Sequence, residues 1–197
     1  MAWLFWIAML CLVGPIFFLL LREPWTVPAR DPIQLPSLSR NLFNLEIGDI
    51  VQYMAIDWAV EGKLLYNEDG FTWIEYMLQD GDRIRWLSVA EDDIVEVAWL
   101  ETIDTQAIGQ NPPLQLTFNS KSYRRIESGV AIMQRVGTIR KRQAERCRYF
   151  DYKGPDDSVL SIEDWDGDIE VSLGERIHPA ALSLLPGSGQ SIYQGNG

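Results

Sequence analysis

The sequence contains few of the side chains that enzymes most often use for catalysis. It has one histidine, His178, so a Ser-His-Asp or Cys-His arrangement would have to be built on that residue. The glycines form no Walker or Rossmann pattern, and the cysteines and the histidine lack the spacing of a zinc site. We therefore predict no catalytic residues, no cofactor-binding residues, no metal ligands and no cofactor.

Cysteine is equally scarce. Cys11 lies within an apolar run, and Cys147 is the only cysteine in the remainder of the chain. A framework of intrachain disulfides is therefore excluded, and this cysteine usage is typical of a reducing compartment.

Charged side chains are absent from the first 21 residues, "MAWLFWIAMLCLVGPIFFLLL". About 20 helical residues span the roughly 30 Å hydrocarbon core of a bilayer, so we predict a transmembrane helix over residues 1–21. A cleaved signal peptide is the alternative, but no basic residue precedes the apolar run and no small-x-small cleavage site follows it. Arg22, Arg30 and Arg40 all follow the helix, so the positive-inside rule predicts that the soluble part lies on the cytoplasmic side.

Proline recurs every fourth residue after this segment, at Pro24, Pro28, Pro32 and Pro36. Such a density favours extended polyproline conformation, and we predict a semi-rigid stalk over residues 22–43. A proline-rich ligand for a partner domain is the alternative interpretation.

Helix signals are missing from the region that follows, and the hydrophobic period is two. In "DWAVEGKLLY" the pattern predicts that Trp58, Val60, Leu64 and Tyr66 share one face of a strand. The segments "FTWIEYMLQ" and "RIRWLSV" alternate in the same way, and the turn signals "DG" at 69–70 and 80–81 join the strands into a meander.

The same pattern recurs later in the chain. "WLSVAEDDIVEVAWLE" (86–101) aligns with "VLSIEDWDGDIEVSLGE" (159–175), which pairs the Leu-Ser of 87–88 with that of 160–161 and the Val-Glu-Val of 95–97 with Ile-Glu-Val of 169–171 after one inserted residue. We predict an all-β fold built from a duplicated antiparallel β-meander unit, at 44–105 and 114–180, closed as a barrel-like structure or a sandwich. A flexible Gly/Ser tail is predicted at 186–197.

The acidic segment "EDWDGDIE" has the appearance of a calcium loop, with Asp164, Asp166 and Asp168 alternating around one glycine. The glycine stands at 167 rather than at the required position, and the flanks "VLSI" and "IEVSL" are typical of strands rather than helices. The matching turn of the first repeat, "AEDD", has no glycine at all. We therefore predict a tight hairpin turn whose three aspartates point outward into solvent.

Charge is distributed unevenly along a chain whose net charge is −11. Residues 121–148 hold nine basic and two acidic side chains, and the densest part of this block consists of Arg140, Lys141, Arg142, Arg146 and Arg148. These side chains are expected either to contact anionic lipid headgroups or to pair with the acidic remainder of the protein. Nucleic acid is not an expected partner, because the acidic remainder repels phosphate and no interleaved aromatics provide stacking.

Two other sets of residues are open to a structural and a functional interpretation. The adjacent acids Asp92-Asp93 and Asp156-Asp157 are typical of solvated turns, although paired carboxylates can act in acid-base catalysis. Trp58, Trp73, Trp86 and Trp99 come about one per strand, which favours a ladder in the core over a ligand platform.

Several short motifs resemble those of the bacterial family called domain of unknown function 4178. They are "GDIV" at 48–51, W-x-V-x-G at 58–62, "WLS" at 86–88 and L-S-I-E-x-W at 160–165, and the resemblance covers most of residues 45–180. The family has no assigned activity, so the resemblance implies domain boundaries and an association with membrane systems but no catalytic residues.

Together these observations predict a membrane-anchored, single-pass protein whose non-enzymatic cytoplasmic β domain acts as a binding or scaffolding module. The expected partners are the membrane itself and a membrane protein. The alternative is an enzyme or an enzyme-accessory domain with an acidic or metal-binding cleft, built on the carboxylates at 164–168 or on the tryptophan row.

Overall fold

The computed structural model describes residues 39–104, 108–137, 139 and 145–193. These residues form eleven antiparallel strands and one 3-10 turn (Pro179–Ala181), and they contain no α-helix. The strands are β1 (Ile50–Tyr53), β2 (Ile56–Glu68), β3 (Phe71–Asp80), β4 (Arg83–Glu91), β5 (Val95–Ile103), β6 (Gln115–Phe118), β7 (Lys121–Gly137), β8 (Arg146–Lys153), β9 (Ser158–Trp165), β10 (Asp168–Arg176) and β11 (Ser183–Leu185). The all-β prediction is confirmed.

The predicted membrane segment lies outside this part of the chain. Among the described residues, no helix is long and apolar enough to cross a membrane. Residues 1–21, and the predicted stalk as far as residue 38, are not among them. The anchor and the stalk stay predictions.

Eight of the described strands close into a barrel. Around it the order is β2-β3-β4-β5-β10-β9-β8-β7, and β7 pairs again with β2. β11 and β1 continue the sheet from the first part of β2, and β6 continues it from β7. Of the two architectures left open by the sequence, the structure has the barrel.

The barrel consists of two four-stranded meanders, β2–β5 and β7–β10. They meet at two seams, where the first strands pair with each other (β2 with β7) and the last strands do the same (β5 with β10). This is the strand order that two-fold symmetry between the meanders gives. Their origin by duplication stays a prediction.

A β-bulge at Glu61 bends β2, and the pairing register with β3 shifts there. The part of β2 before the bulge pairs with β1, and the part after it pairs with β7. The extra residue also breaks the alternation of side chains, so Trp58 and Val60 pack on the outside of the barrel whereas Leu64 and Tyr66 pack inside it. The prediction that these four side chains share one face is therefore wrong.

Glu61 itself is 1% exposed and binds residues 191–193. Its carboxylate accepts hydrogen bonds from the Ser191 hydroxyl and from the backbone N–H groups of Ile192 and Tyr193, at 2.8 and 3.0 Å for the two backbone donors. These contacts belong to the tail predicted at 186–197, of which residues 186–193 are described. The flexibility of the tail stays a prediction.

Buried apolar side chains form three clusters. One lies inside the barrel, and the other two cover the outside of the two meanders. The inner cluster consists of Leu64, Tyr66, Met77, Trp86, Leu100, Ala131, Met133, Ile139, Cys147, Tyr149 and Trp165. The outer faces are themselves covered, by residues 42–47 and 177–184 on one side and 108–118 on the other, so the barrel strands carry buried apolar side chains on both faces.

Candidate functional site

The barrel interior contains an open cavity of about 500 Å³. Its lining comes from every barrel strand except β2. Leu100 belongs both to the lining and to the inner apolar cluster, so this cluster forms the floor of the cavity. One part of the interior is thus filled by apolar side chains, and the rest is accessible space.

Aromatic rings form one wall of the cavity. Trp73 on β3 lies between Tyr149 on β8, at 5.3 Å between ring centroids in an edge-to-face arrangement, and Phe71, at 6.2 Å. Tyr66 stacks on Trp73 at 4.7 Å with the two rings 4° from parallel. Because each ring is held by another ring, the wall is formed before any ligand arrives.

Carboxylates lie deep in the same cavity. Glu75 on β3 and Glu163 on β9 are only 7% and 6% exposed. The Tyr66 hydroxyl lies 2.7 Å from Glu163 Oε1 and 3.2 Å from Glu75 Oε2, so its single proton serves one of them at a time. β2 and β9 are not neighbours in the sheet, so the contact between Tyr66 and Glu163 crosses the barrel interior.

A second tyrosine and carboxylate pair lies at the end of the seam between β2 and β7. The Glu68 carboxylate accepts hydrogen bonds from the Val130 N–H, at 2.9 Å, and from the Tyr149 hydroxyl, at 2.5 Å. Burial, the hydrogen bond to Glu68 and the nearby carboxylate of Glu127 raise the pKa of Tyr149 above its usual range. Tyr149 therefore stays a neutral hydrogen-bond donor across the physiological pH range.

Asp151 on β8 is a carboxyl group of the cavity whose pKa is shifted by its surroundings. Burial, together with the nearby charges of Glu163 and Glu127, raises its pKa to about 6, although the Ser161 hydroxyl, which donates to it at 2.6 Å, and the charge of Arg176 act in the opposite direction. Asp151 therefore changes its charge close to neutral pH.

We expect Asp151→Asn to stabilise the protein by roughly 1–2 kcal/mol at about pH 7.5, where the native carboxylate is ionised at a cost. A carboxyl whose folded-state pKa is raised takes up its proton in the folded state first, so the wild type regains this stability as the pH falls from about 7 to about 4. The advantage of the variant should therefore shrink below about pH 6. Urea denaturation at several pH values measures it.

The matched control is Asp82→Asn, at an exposed turn position, which is expected to change the free energy of unfolding by less than about 0.5 kcal/mol. If the stability difference between Asp151→Asn and wild type does not depend on pH, the raised pKa of Asp151 is contradicted.

The acidic segment predicted as a hairpin turn is confirmed as one. β9 ends at Trp165, β10 begins at Asp168, and these two residues pair across a two-residue turn. Asp166 and Gly167 both have positive φ, 55° and 100°, which a type I′ turn requires and which Asp-Gly supplies readily.

The expected orientation of the three aspartates is correct for two of them and wrong for Asp164. Asp166 and Asp168 are exposed, but Asp164 is 8% exposed. It accepts the Gly167 N–H at 2.7 Å and pairs with Arg148 on the neighbouring strand at 2.5 Å. Pairing with the arginine of the neighbouring strand thus keeps the Asp164 carboxylate from solvent. In the described part of the chain, no group of three His, Cys, Asp or Glu side chains is placed to hold a metal ion.

The predicted basic surface is only partly described. Arg140, Lys141 and Arg142 lie outside the described residues, and Arg146 is exposed. Arg148 pairs with Asp164, donates to the Gln110 carbonyl and lies 5.5 Å from the Phe150 ring. This arginine is therefore engaged within the domain, and the lipid contact stays a prediction.

The remaining candidates lie in different places. His178 is exposed, and its Nδ1 accepts the Ala180 N–H at 3.1 Å at the start of the 3-10 turn. The four tryptophans do not form one ladder: Trp58 and Trp99 pack outside the barrel and Trp86 inside it, whereas Trp73 lines the cavity.

One of the cavity carboxylates, Asp92, was among the sequence candidates as a member of the adjacent acids Asp92-Asp93. The others were not, because they stand in strands and a polar residue there was taken to face solvent; they are Glu75, Glu96, Glu127, Asp151 and Glu163. A signal is nevertheless present, because an aromatic residue and a carboxylate repeat at spacing two in Trp73 and Glu75, in Tyr149 and Asp151, and in Glu163 and Trp165. Such pairs share one face of a strand.

A family model described as "Domain of unknown function (DUF4178)" matches residues 46–179. An uncharacterized protein of Mycobacterium bovis and one of Mycobacterium tuberculosis are each 30% identical to the chain over 167 residues, which is 80% of this chain and 80% of the relative. No solved structure matches the chain.

Proposed function

The chain belongs to the family described as Domain of unknown function (DUF4178), a description that assigns no activity, and we propose that it binds a small organic ligand in the barrel cavity. The family match agrees with the resemblance found over most of residues 45–180.

The observation that carries the proposal is the cavity of about 500 Å³. Small-molecule sites are concave, of about 300–1,000 Å³, with mostly apolar walls and a few fixed polar groups, and they occur in the mouths of barrels. Here the walls are the ring set of Phe71, Trp73 and Tyr149, and the fixed polar groups are carboxylates held by hydroxyl donors. Both kinds of group are in place without a ligand.

The predicted anchor gives this binding module its location. We propose that residues 1–21 hold the barrel at the cytoplasmic face of a membrane and that a membrane protein is its partner. The support is the uncharged apolar run and the arginines that follow it. Release of the full chain from membranes by a carbonate wash would remove this part of the proposal.

Acid-base catalysis in the same cavity is the second candidate. The observation that favours it is Asp151, a carboxyl with a pKa raised to about 6 in a cleft. It would be supported by chemical conversion of a bound ligand that Asp151→Asn abolishes while binding persists.

The test of the binding proposal is a screen of the full chain in detergent micelles. Neutral, anionic and cationic aromatic fragments at millimolar concentration are observed by ligand NMR, against wild type and two variants. Ser88→Phe fills the cavity from β4, and Ser122→Phe makes the same change at an exposed site. Fragments should bind wild type and Ser122→Phe but not Ser88→Phe.

Ala90→Phe, which fills the cavity closer to the end of β4, is the second filling variant if Ser88→Phe does not fold. Equal binding to all folded variants, or no binding to wild type, would overturn the proposal.

A further inference from the structure

One outer face of the barrel carries exposed apolar side chains. Val130, Ile132 and Val136 on β7 are 45%, 61% and 41% exposed. Ala131 and Met133, which alternate with them, belong to the cluster inside the barrel, so these three side chains point away from it. They form an apolar strip along the seam with β2, called the β7 strip below.

Basic side chains lie on both sides of the β7 strip. Val130 and Ile132 pair with Arg148 and Arg146 on β8, and the last residue of the strip pairs with Lys63 on β2. Directly paired residues of neighbouring strands share one face of a sheet. Arg148 is engaged with an aspartate, but Arg146 is exposed.

Acidic side chains of the same strands point the other way. β7 and β8 each contain one carboxylate, Glu127 and Asp151, and both line the cavity inside the barrel. The outer positions of these two strands therefore combine apolar and basic side chains, although the chain as a whole has a net charge of −11.

The opposite seam has a different outer face. There Trp99 and Glu101 on β5 pair with Glu175 and Leu173 on β10, so each apolar side chain has a carboxylate beside it. No large apolar residue of β5 or β10, both of which are described in full, is exposed. The exposed apolar strip is thus a property of the β2–β7 seam and not of barrel closure.

We propose that the β7 strip and Arg146 contact the surface of an anionic lipid membrane, an inference that deepens the membrane location proposed above. Apolar side chains enter the boundary between headgroups and acyl chains, and basic side chains beside them attract anionic headgroups. A second copy of the chain fits this face less well, because a symmetric contact would bring the basic side chains of both copies together.

The proposed anchor allows this contact. Residues 22–38 separate the apolar run from the first described residue, and a segment of this length spans at most about 60 Å. A barrel held within that distance meets the surface at a high effective concentration, so a weak contact of the strip is enough to orient it.

The test places a fluorophore on the strip and a quencher in the lipid. Ile132→Cys in a Cys11→Ser background is labelled with a nitrobenzoxadiazole dye, because Cys147 is buried and should take up none. The full chain is incorporated into nanodiscs of spin-labelled lipid, with or without about 30% phosphatidylglycerol. The dye should lose at least about half of its fluorescence in anionic discs and less than about a tenth in neutral ones.

A matched position and a matched charge pair control the measurement. Ile94→Cys carries the dye at an exposed turn between β4 and β5, across the barrel from β7, where no quenching is expected. Arg146→Gln should reduce the quenching at 132 by about half, as should about 1 M salt. Lys153→Gln, at the exposed other end of β8, should leave it unchanged.

The outcomes separate this inference from the proposed anchor. A chain that enters the discs but shows no quenching at 132, or equal quenching at 132 and 94 or in neutral and anionic discs, overturns the inference alone. Blue-shifted emission at 132 that grows with the number of chains per disc, without quenching, assigns the face to a second copy and overturns it too. Failure to enter any disc removes the anchor and the inference together. Val130→Cys carries the dye if Ile132→Cys does not fold.

Discussion

Gly174→Ala is expected to lower the free energy of unfolding by about 3 kcal/mol or more. Gly174 lies on β10 and pairs with Leu100 on β5, at one of the two seams that close the barrel. A Cβ at this position would lie 1.9 Å from the Trp99 carbonyl oxygen and 2.9 Å from the Leu100 Cα. Both atoms belong to backbone, so the two strands have to separate before the methyl group fits.

Chemical denaturation followed by circular dichroism measures the loss, and Gly81→Ala is the matched control. Gly81 has a φ of 59° in an exposed turn with no atom near an added Cβ, so only backbone strain of about 1 kcal/mol is expected there. If Gly174→Ala lowers the free energy of unfolding less than Gly81→Ala does, the close contact between β10 and β5 at Gly174 is contradicted.

Tyr66→Phe is expected to destabilise the protein by about 2 kcal/mol without changing the shape of the side chain. The removed hydroxyl lies 2.7 Å from Glu163 and 3.2 Å from Glu75, and both carboxylates are buried. The ring of Tyr66 keeps its stacking on Trp73, so the loss reports the hydrogen bonding of the hydroxyl and not the packing of the ring.

Tyr152→Phe makes the same chemical change at a neutral acceptor. The Tyr152 hydroxyl donates to the Pro113 carbonyl at 2.7 Å, and its removal is expected to cost about 1 kcal/mol. The midpoint of urea denaturation for each variant, at unchanged slope, gives the two values. If the two variants lose the same free energy of unfolding, the hydrogen bonds of Tyr66 to the cavity carboxylates are no stronger than one to a neutral carbonyl.

Short-range features of the fold could be predicted from the sequence because turn chemistry is local. The "DG" at 69–70 does stand between β2 and β3, and in the "DG" at 80–81 Asp80 ends β3 and Gly81 begins the turn to β4. Asp166-Gly167 forms the two-residue turn that its residues favour. Each of these turns depends on residues that can adopt positive φ, and no distant contact is needed to recognise them.

Closure of the barrel could not be predicted in the same way. The pairings of β5 with β10 and of β2 with β7 join residues that are about 70 positions apart, and no local signal specifies them. The bulge at Glu61 had a similar effect, because a single extra residue moved Leu64 and Tyr66 to the opposite face from Trp58 and Val60.

The candidate site was missed for the same physical reason. Glu75 and Glu163 stand in strands whose two faces are both covered, so a polar residue in such a strand need not face water. Only the closed barrel brings these carboxylates together with Trp73 and Tyr149. Composition indicated the absence of a histidine-based site, but the position of the acids depended on the fold.

The seam arrangement also bears on how the chain folds as it is synthesised. Because β2 pairs with β7 and β5 with β10, the edge of β2 stays open until the ribosome has passed residue 137, and the edge of β5 stays open until it has passed residue 176. Open strand edges recruit other strands, and nascent chains on one messenger lie close together. The interval between completion of β5 and arrival of β10 is therefore the stage of greatest risk for intermolecular pairing, and protection during synthesis matters most there.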